Sequence, residues 1–316
     1  MTKTFENPWP HDEHGFLDIL RWKLGIGSQE TARLPDAPDD GAPAVALDLS
    51  RIATPPGQGW RITWLGHSSF LVQGCGRSLL IDPVFSDHCS PIPIPSLKRK
   101  VPPPCELSEL PAIDAILLTH SHYDHLDLST LRTLGNSVPL FTPSGHAARM
   151  AKSGFSDVTE LAWWDSETLP DGIRITAVPS QHFTARTPFD RNLAHWCGWV
   201  IEGEDKRLWH TGDSGYCPAF KQIGERFGGL DFGMIPIGAY QPRSIMTAMH
   251  MNPDEAVQAF LDAKCKAAFA MHWGTFRLTD EPMGEPPILL SQAAEGAGLS
   301  AESFVAGSIG EIRELR

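Results

Sequence analysis

The sequence predicts an α/β protein of two similar halves, stacked sheet on sheet with helices outside. Three observations carry this. Strand-like apolar runs come first as hairpins and then as strand–helix pairs, and that order occurs twice along the chain. Several of the runs end on a His or Asp flanked by small or turn residues, as ligand-bearing loop tips on a rigid scaffold do. With 316 residues the chain is long enough for one large core or two domains.

Residues 1–59 read as an N-terminal arm and residues 60–316 as the catalytic body. In the arm, Phe16, Leu17, Ile19, Leu20, Trp22, Lys23 and Leu24 have helical spacing that Gly25 and Gly27 end, and residues 36–43 form a loop. Such an arm would pack along the body; Trp9, Phe16 and Trp22 would also suit an apolar lid or a membrane-facing element. The body opens with a strand over 61–65, then a hairpin of 70–72 and 79–81 around Gly74-Cys75-Gly76, with Asp82-Pro83 at its tip. Residues 91–104 hold six prolines and the basic run Lys98-Arg99-Lys100. Prolines at that density exclude a helix or central strand. The basic run reads as a solvated turn or as a site for anionic headgroups. A strand over 115–118 follows, then helices over 129–134 and 146–152 about a strand at 140–141, and a strand over 173–178. The second half has a hairpin of 197–201 and 207–210, a strand over 232–237, a helix over 253–261 and a strand over 267–271.

The run Ala115 to Leu118 stops at Thr119 and leads into His120-Ser121-His122-Tyr123-Asp124-His125-Leu126-Asp127. Burying three imidazoles and a carboxylate there without a cation would leave polar groups unpaired at about 1–3 kcal/mol each. A metal removes that cost, because neutral imidazole and carboxylate are its usual ligands. Positions i and i+2 of an extended chain share a side, so His120 and His122 can grip one ion. If a helix then starts, Asp124 and His125 turn toward a second. His182, Asp213 and His272 each follow an apolar strand and complete the set. The residues divide as His120, His122 and His182 on one ion, Asp124, His125 and His272 on the other, and Asp213 between them. Zinc is the default for such donors, with iron and manganese also able to occupy them. Asp82, Asp127 and His67 are expected to support these ligands. His11, His14, His88, His146, His195 and His210 are read as ordinary histidines.

A formal net charge of −12 argues against a nucleic-acid binder. The six cysteines form no Cys-x-x-Cys pair, which fits free thiols in a reducing cytoplasm better than a disulfide framework. The N-terminus lacks an apolar signal segment, and no run of 18 apolar residues could span a membrane. Peripheral membrane contact remains compatible with all of this.

His-x-His-x-Asp-His followed by single His, Asp and His at strand ends resembles the metallo-β-lactamase superfamily. Further stretches sharpen the likeness. Asn7-Pro8-Trp9-Pro10, Trp64-Leu65-Gly66-His67, Gly212-Asp213-Ser214-Gly215-Tyr216, Gly238-Ala239-Tyr240-Gln241-Pro242-Arg243 and His272-Trp273-Gly274-Thr275-Phe276 are similar to the N-acyl-phosphatidylethanolamine-hydrolysing phospholipase D family. The resemblance implies a four-layer αββα fold with the metal site at the sheet ends and two Zn2+ per chain. It also implies phosphodiester hydrolysis to phosphatidic acid and an N-acylethanolamine by a hydroxide shared between the ions, Asp124 and Asp213 acting with them. His250 matches a family histidine and is a candidate proton donor; Arg243, Tyr123 and Tyr240 are candidate substrate contacts. As members of the family can dimerise, a homodimer is also admitted. The metal set alone suits a hydrolase of a lactone, a cyclic phosphodiester or another small ester equally well. An iron redox or sensor protein of this fold would need a partner domain or a carboxylate in place of His182, and the chain has neither.

Overall fold

Alternation along the early strands assigns their side chains to two different cores. A computed structural model describes residues 4–12, 14–26, 30–170 and 172–316; Gly27 and the side chain of Phe16, both invoked for the first helix, lie outside the described residues. The arm carries helices α1 (Phe16–Lys23) and α2 (Leu49–Ile52). Strands β1 (Trp60–Gly66), β2 (Ser69–Gly74), β3 (Arg77–Ile81), β4 (Ala115–Leu117), β5 (Leu140–Pro143) and β6 (Val158–Leu161) form one sheet in that order. Trp64, Phe70, Val72, Leu79, Ile81 and Leu117 face an inner cluster, whereas Leu65, Leu71, Leu80, Ile116 and Leu118 face an outer one. Helices α3 (Leu128–Leu134) and α4 (Ala147–Lys152) close the outer cluster through Leu131 and Met150.

The second sheet holds β7 (Ser166–Thr168), β8 (Arg174–Val178), β9 (Gly198–Gly203), β10 (Lys206–His210), β11 (Phe232–Pro236), β12 (Ala268–Met271) and β13 (Phe304–Val305). Its inner residues, among them Trp199 and Phe269, complete the inner cluster with the first sheet. Helices α5 (Ala219–Phe227), α7 (Pro253–Asp262) and α8 (Glu285–Gly296) pack against it, while the short α6 (Arg243–Met246) precedes α7. The last strand, β14 (Ile312–Leu315), returns to the first sheet beside β1. Both sheets change from antiparallel to parallel pairing part-way, after β3 and after β10. The expected repetition of hairpins then strand–helix pairs is this shared topology, and the four layers are the expected αββα arrangement.

Besides the one-turn α2 and α6, two longer helices, α5 and α8, had no reading in the sequence. Gly224 breaks the pattern of α5, yet a Cβ there would meet the Asp262 carbonyl oxygen at 2.4 Å, so the glycine lets α5 close on the end of α7. Prolines occupy the first turn of α8, where no intrahelical N–H is lost. The arm packs on the body: Ile19 and Trp22 lie against Met246, Ala248 and Met249, and Trp22 Nε1 donates to Asp280.

Two local expectations are corrected. Lys98-Arg99-Lys100 is not one solvated patch, because Arg99 points inward and donates to the carbonyls of Val84 and Ser86. Asp127 orients no ligand: it caps α3, accepting from the N–H groups of Ser129 and Thr130, and holds the Ser86 N–H at 3.0 Å. Burial opposes ionisation of Asp127, but hydrogen bonds from Thr130 and Ser86 hold its carboxyl below the usual range. An Asp127→Ala variant should therefore lose about 2 kcal/mol of stability at pH 7, measured by urea unfolding. Since the folded value is the lower one, that contribution is present above the unfolded carboxylate pKa. It is lost as pH falls through the folded value, so wild type and variant converge in acid.

Candidate metal centre

The ligand-bearing loops leave the same end of both sheets. Past β4 the chain stays extended to His120 and His122, then closes a single turn in which the N–H groups of His125 and Leu126 donate to the His122 carbonyl. No helix starts there, as α3 begins only at Leu128; the turn alone swings Asp124 and His125 away from His120 and His122. Asp213 lies just beyond β10, His272 directly follows β12, and His182 sits in the loop after β8.

Two donor groups result. His120 Nε2 and His182 Nε2 lie 2.9 and 3.2 Å from His122 Nδ1, so three ring nitrogens converge. Beside them, Asp124 Oδ2 is 3.6 Å from His125 Nε2 and 3.4 Å from His272 Nε2. Asp213 Oδ2 stands between the groups, 3.1 and 2.9 Å from His125 and His272, and 3.7 and 3.9 Å from His182 and His120. His125 Nε2, His272 Nε2 and Asp213 Oδ1 are buried without a hydrogen-bond partner among the described residues. Orphaned donor atoms aimed at one another in this way fit a cation.

A framework fixes the rings. Asp82 accepts from His125 Nδ1 at 2.7 Å and from the Thr119 hydroxyl at 2.5 Å, and that hydroxyl sits 2.9 Å from His120 Nδ1. One carboxylate thus orients two imidazoles, the second through a threonine that had no reading in the sequence. His182 Nδ1 donates to the Met249 carbonyl at 3.0 Å. His67 Nε2 reaches Asp124 Oδ2 at 2.9 Å, and its carbonyl accepts the His272 N–H, tying the two sheets together. His67, Asp82 and His272 all have positive φ, at 50°, 42° and 59°, where an L-residue is disfavoured.

The electrostatics favour ligand protonation states on one side and oppose them on the other. Burial pushes His122 down to about 4 and His182 to about 3 against the pull of the carboxylates, leaving neutral rings. Burial also opposes charge on His272, but Asp213 and Asp124 outweigh it and hold the ring up to about 9. His125 is raised in the same way. Without a cation the carboxylates keep protons on these two rings, and an incoming metal must displace them.

The other expected site residues divide. His250 reaches the cluster, its buried Nδ1 4.0 Å from Asp213 Oδ2. Arg243 does not: its Nη2 binds both Glu255 oxygens at 2.8 Å and its Nη1 donates to the His250 carbonyl, so it holds His250 from behind. Tyr240 is buried with its hydroxyl on Glu285 at 2.6 Å. The Tyr123 hydroxyl donates to the Arg186 carbonyl, and the Arg186 guanidinium lies 3.8 Å above the Tyr123 ring. The polar groups of all three are engaged within the protein. Arg186, read nowhere in the sequence, also donates to the carbonyls of Ser121 and Leu126 and so brackets the histidine motif. His210 is a buried core residue bonded to the Ser68 carbonyl and the Gly212 N–H beneath Asp213.

Residues 77–273 match the beta-lactamase superfamily domain. The chain belongs to the metallo-β-lactamase superfamily. Within the superfamily it is 38% identical over 266 residues to "N-acyl-phosphatidylethanolamine-hydrolyzing phospholipase D 1" of Caenorhabditis elegans, covering 80% of this chain and 75% of that one. It is 39% identical over 288 residues to an uncharacterised protein of Mycobacterium tuberculosis, covering 88% and 74%. Among solved structures, the metallo hydrolase Igni18 of Ignicoccus hospitalis shares the fold at a TM-score of 0.63 and 22% identity, covering 82% of this chain and 99% of that one. Like its superfamily relatives, the chain is a metal-dependent hydrolase.

Asp82→Asn should weaken metal binding about 10–100-fold: Oδ2 accepts from both His125 Nδ1 and the Thr119 hydroxyl while Oδ1 accepts the Thr119 N–H, and an amide must set its NH2 against one of these donors. Competition with a chromogenic chelator measures this; unchanged affinity would remove Asp82 from the centre.

Proposed function

We propose that the chain is a phosphodiesterase of the phospholipase D type, hydrolysing N-acyl-phosphatidylethanolamine-type phospholipids to phosphatidic acid and an N-acylethanolamine. The observation that carries this reading is the 38% identity to the nematode protein of that name over 80% of the chain. His120, His122 and His182 would hold one Zn2+, Asp124, His125 and His272 a second, and Asp213 would bridge. Bound there, the ions would supply an acidified water and positive charge for the phosphoryl oxygens.

The chain's own residues do the rest. Asp82, Thr119 and the Met249 carbonyl hold the ligand rings in one tautomer. His250 stands beside Asp213, and burial keeps its ring neutral despite that carboxylate. A neutral imidazole N–H can donate to the leaving ethanolamine oxygen.

A lipid substrate also suits the surface. Among the described residues, the large apolar side chains exposed by 60% or more are Leu17, Leu24, Ile26, Ile92 and Phe189. Leu17 lies on α1, Leu24 caps its C-terminal end and Ile26 lies just beyond, and α1 packs on the strip before His250. Ile92 lies in the loop after Asp82 and Phe189 in the loop after His182. Carried on segments that follow cluster residues in the chain or pack beside His250, these side chains would let a bilayer surface meet the site. No helix among the described residues is long and apolar enough to cross a membrane.

Product analysis by mass spectrometry tests the reading. Zinc-loaded protein given mixed micelles of N-acyl-phosphatidylethanolamine should release phosphatidic acid and N-acylethanolamine, and Asp213→Ala should release neither. Turnover of a generic diester alone would sink the lipid assignment. In the same assay, Phe189→Glu should lower turnover on vesicles about ten-fold or more while sparing a short-chain soluble substrate. Equal loss on both substrates would remove Phe189 from membrane contact.

A further inference from the structure

The start of the arm shows a strict alternation. Thr4, Glu6, Pro8 and Pro10 are exposed, whereas Phe5, Asn7 and Trp9 are half-buried. In an extended chain every second side chain shares a face, so these three face the body together. Phe5 stacks on His195 with centroids 4.4 Å apart, and its N–H donates to the Asn192 carbonyl. Trp9 stacks on Trp163 at 5.9 Å. Two aromatic anchors therefore hold Asn7 between them.

Asn7 is polar, and besides a 3.4 Å contact of its Nδ2 with His11 Nε2 its amide pairs the backbone of a single residue. Its Nδ2 donates to the His182 carbonyl at 2.9 Å, and its Oδ1 accepts from the His182 N–H at 3.3 Å. Among the described residues these are the only hydrogen bonds to the backbone of His182. The amide thus acts as a neighbouring strand would, pairing both backbone groups of one residue.

His182 is held differently from the other histidine donors, next to Gln181, whose carbonyl accepts the Gly215 N–H and whose N–H donates to the Ser214 hydroxyl. His120, His122, Asp124 and His125 share one tight turn, and His272 directly follows β12. His182 lies in a loop beyond the end of β8 at Val178. Its ring is held through Nδ1 by the Met249 carbonyl, and Met249 packs with Ile19 and Trp22 of α1. The arm thus pairs the backbone of this donor directly and, at a second point well apart in the chain, packs on the strip whose Met249 carbonyl holds its ring.

We infer that Asn7 is a positioning residue for the metal site that contains His120, His122 and His182, and that the arm is a built-in part of that site rather than a cover over it. The inference rests on the assignment of His182 as a metal ligand. Asn7 touches neither metal nor substrate; it acts by fixing where the His182 backbone sits, and hence where Nε2 points.

The test is metal binding, read without turnover. Full-length protein is titrated with Co2+ and then competed with a chelator, following each ion by its visible spectrum. Asn7→Ala should weaken one of the two ions about 10–100-fold and alter its spectrum, leaving the other ion and the melting temperature of the metal-free protein near wild type. Asn7→Asp keeps an acceptor for the His182 N–H but sets a second oxygen against the His182 carbonyl, so it should weaken the same ion at least as much as Asn7→Ala. Glu6→Ala, on the outward face, should change nothing. Both ions bound as in wild type by Asn7→Ala would overturn the inference, as would equal weakening of both with a lowered melting temperature, the mark of a general packing role. His182→Ala separates the layers. If it loses one ion while Asn7→Ala loses none, only the role of Asn7 fails; if it keeps both, the ligand assignment fails with it.

Discussion

The Asp213 carboxylate, buried among imidazoles drawn from both sheets, is the constraint on which the rest of the structure depends. Its Oδ2 has five ring nitrogens within 4.0 Å, from His120, His125, His182, His250 and His272. An uncompensated charge at such depth would cost several kcal/mol. Burial raises its proton affinity, yet His125 and His272 overcome this and hold it ionised. The chain therefore maintains a charged cluster at its centre, where a cation would be held.

Much of the architecture serves to assemble that cluster. The two sheets share one inner core, so their loop-bearing ends are fixed relative to each other by Trp64, Phe70, Trp199 and Phe269 rather than by the site itself. The bond from His272 N–H to the His67 carbonyl then locks the two ends at the cluster. Left-handed backbone at His67, Asp82 and His272 costs roughly 1–2 kcal/mol each. Three such residues around one cluster mark where stability is spent to aim side chains. A hydrolytic centre requires this, since misplaced donors lose catalysis quickly.

The strands and the donor set were legible in the sequence because both rest on short-range patterns. Phe70-Leu71-Val72 and Leu79-Leu80-Ile81 read as strands and alternate between two cores as strands do. The donors were legible because each ends an apolar run. What escaped depends on distant partners. Gly224 looks like a helix breaker until the approach of α7 explains it. Asp127, inside the metal motif, looks like a ligand's partner, yet the nearest unsatisfied N–H groups belong to α3 and it caps them. The partners of Arg243 and Tyr240, Glu255 and Glu285, are joined to them by no short-range pattern. Arg186 and Asn7 act on backbone carbonyls and N–H groups, which leave no trace in side-chain spacing.

The most direct measurement is the metal content of the purified protein, by elemental mass spectrometry, beside that of Asp213→Ala. The account predicts two equivalents of a divalent transition metal in the wild type, a marked loss in the variant, and a fall in melting temperature when a chelator strips the wild type. A wild-type protein that carries no metal after exposure to zinc, yet melts unchanged and still hydrolyses a phosphodiester, would contradict it.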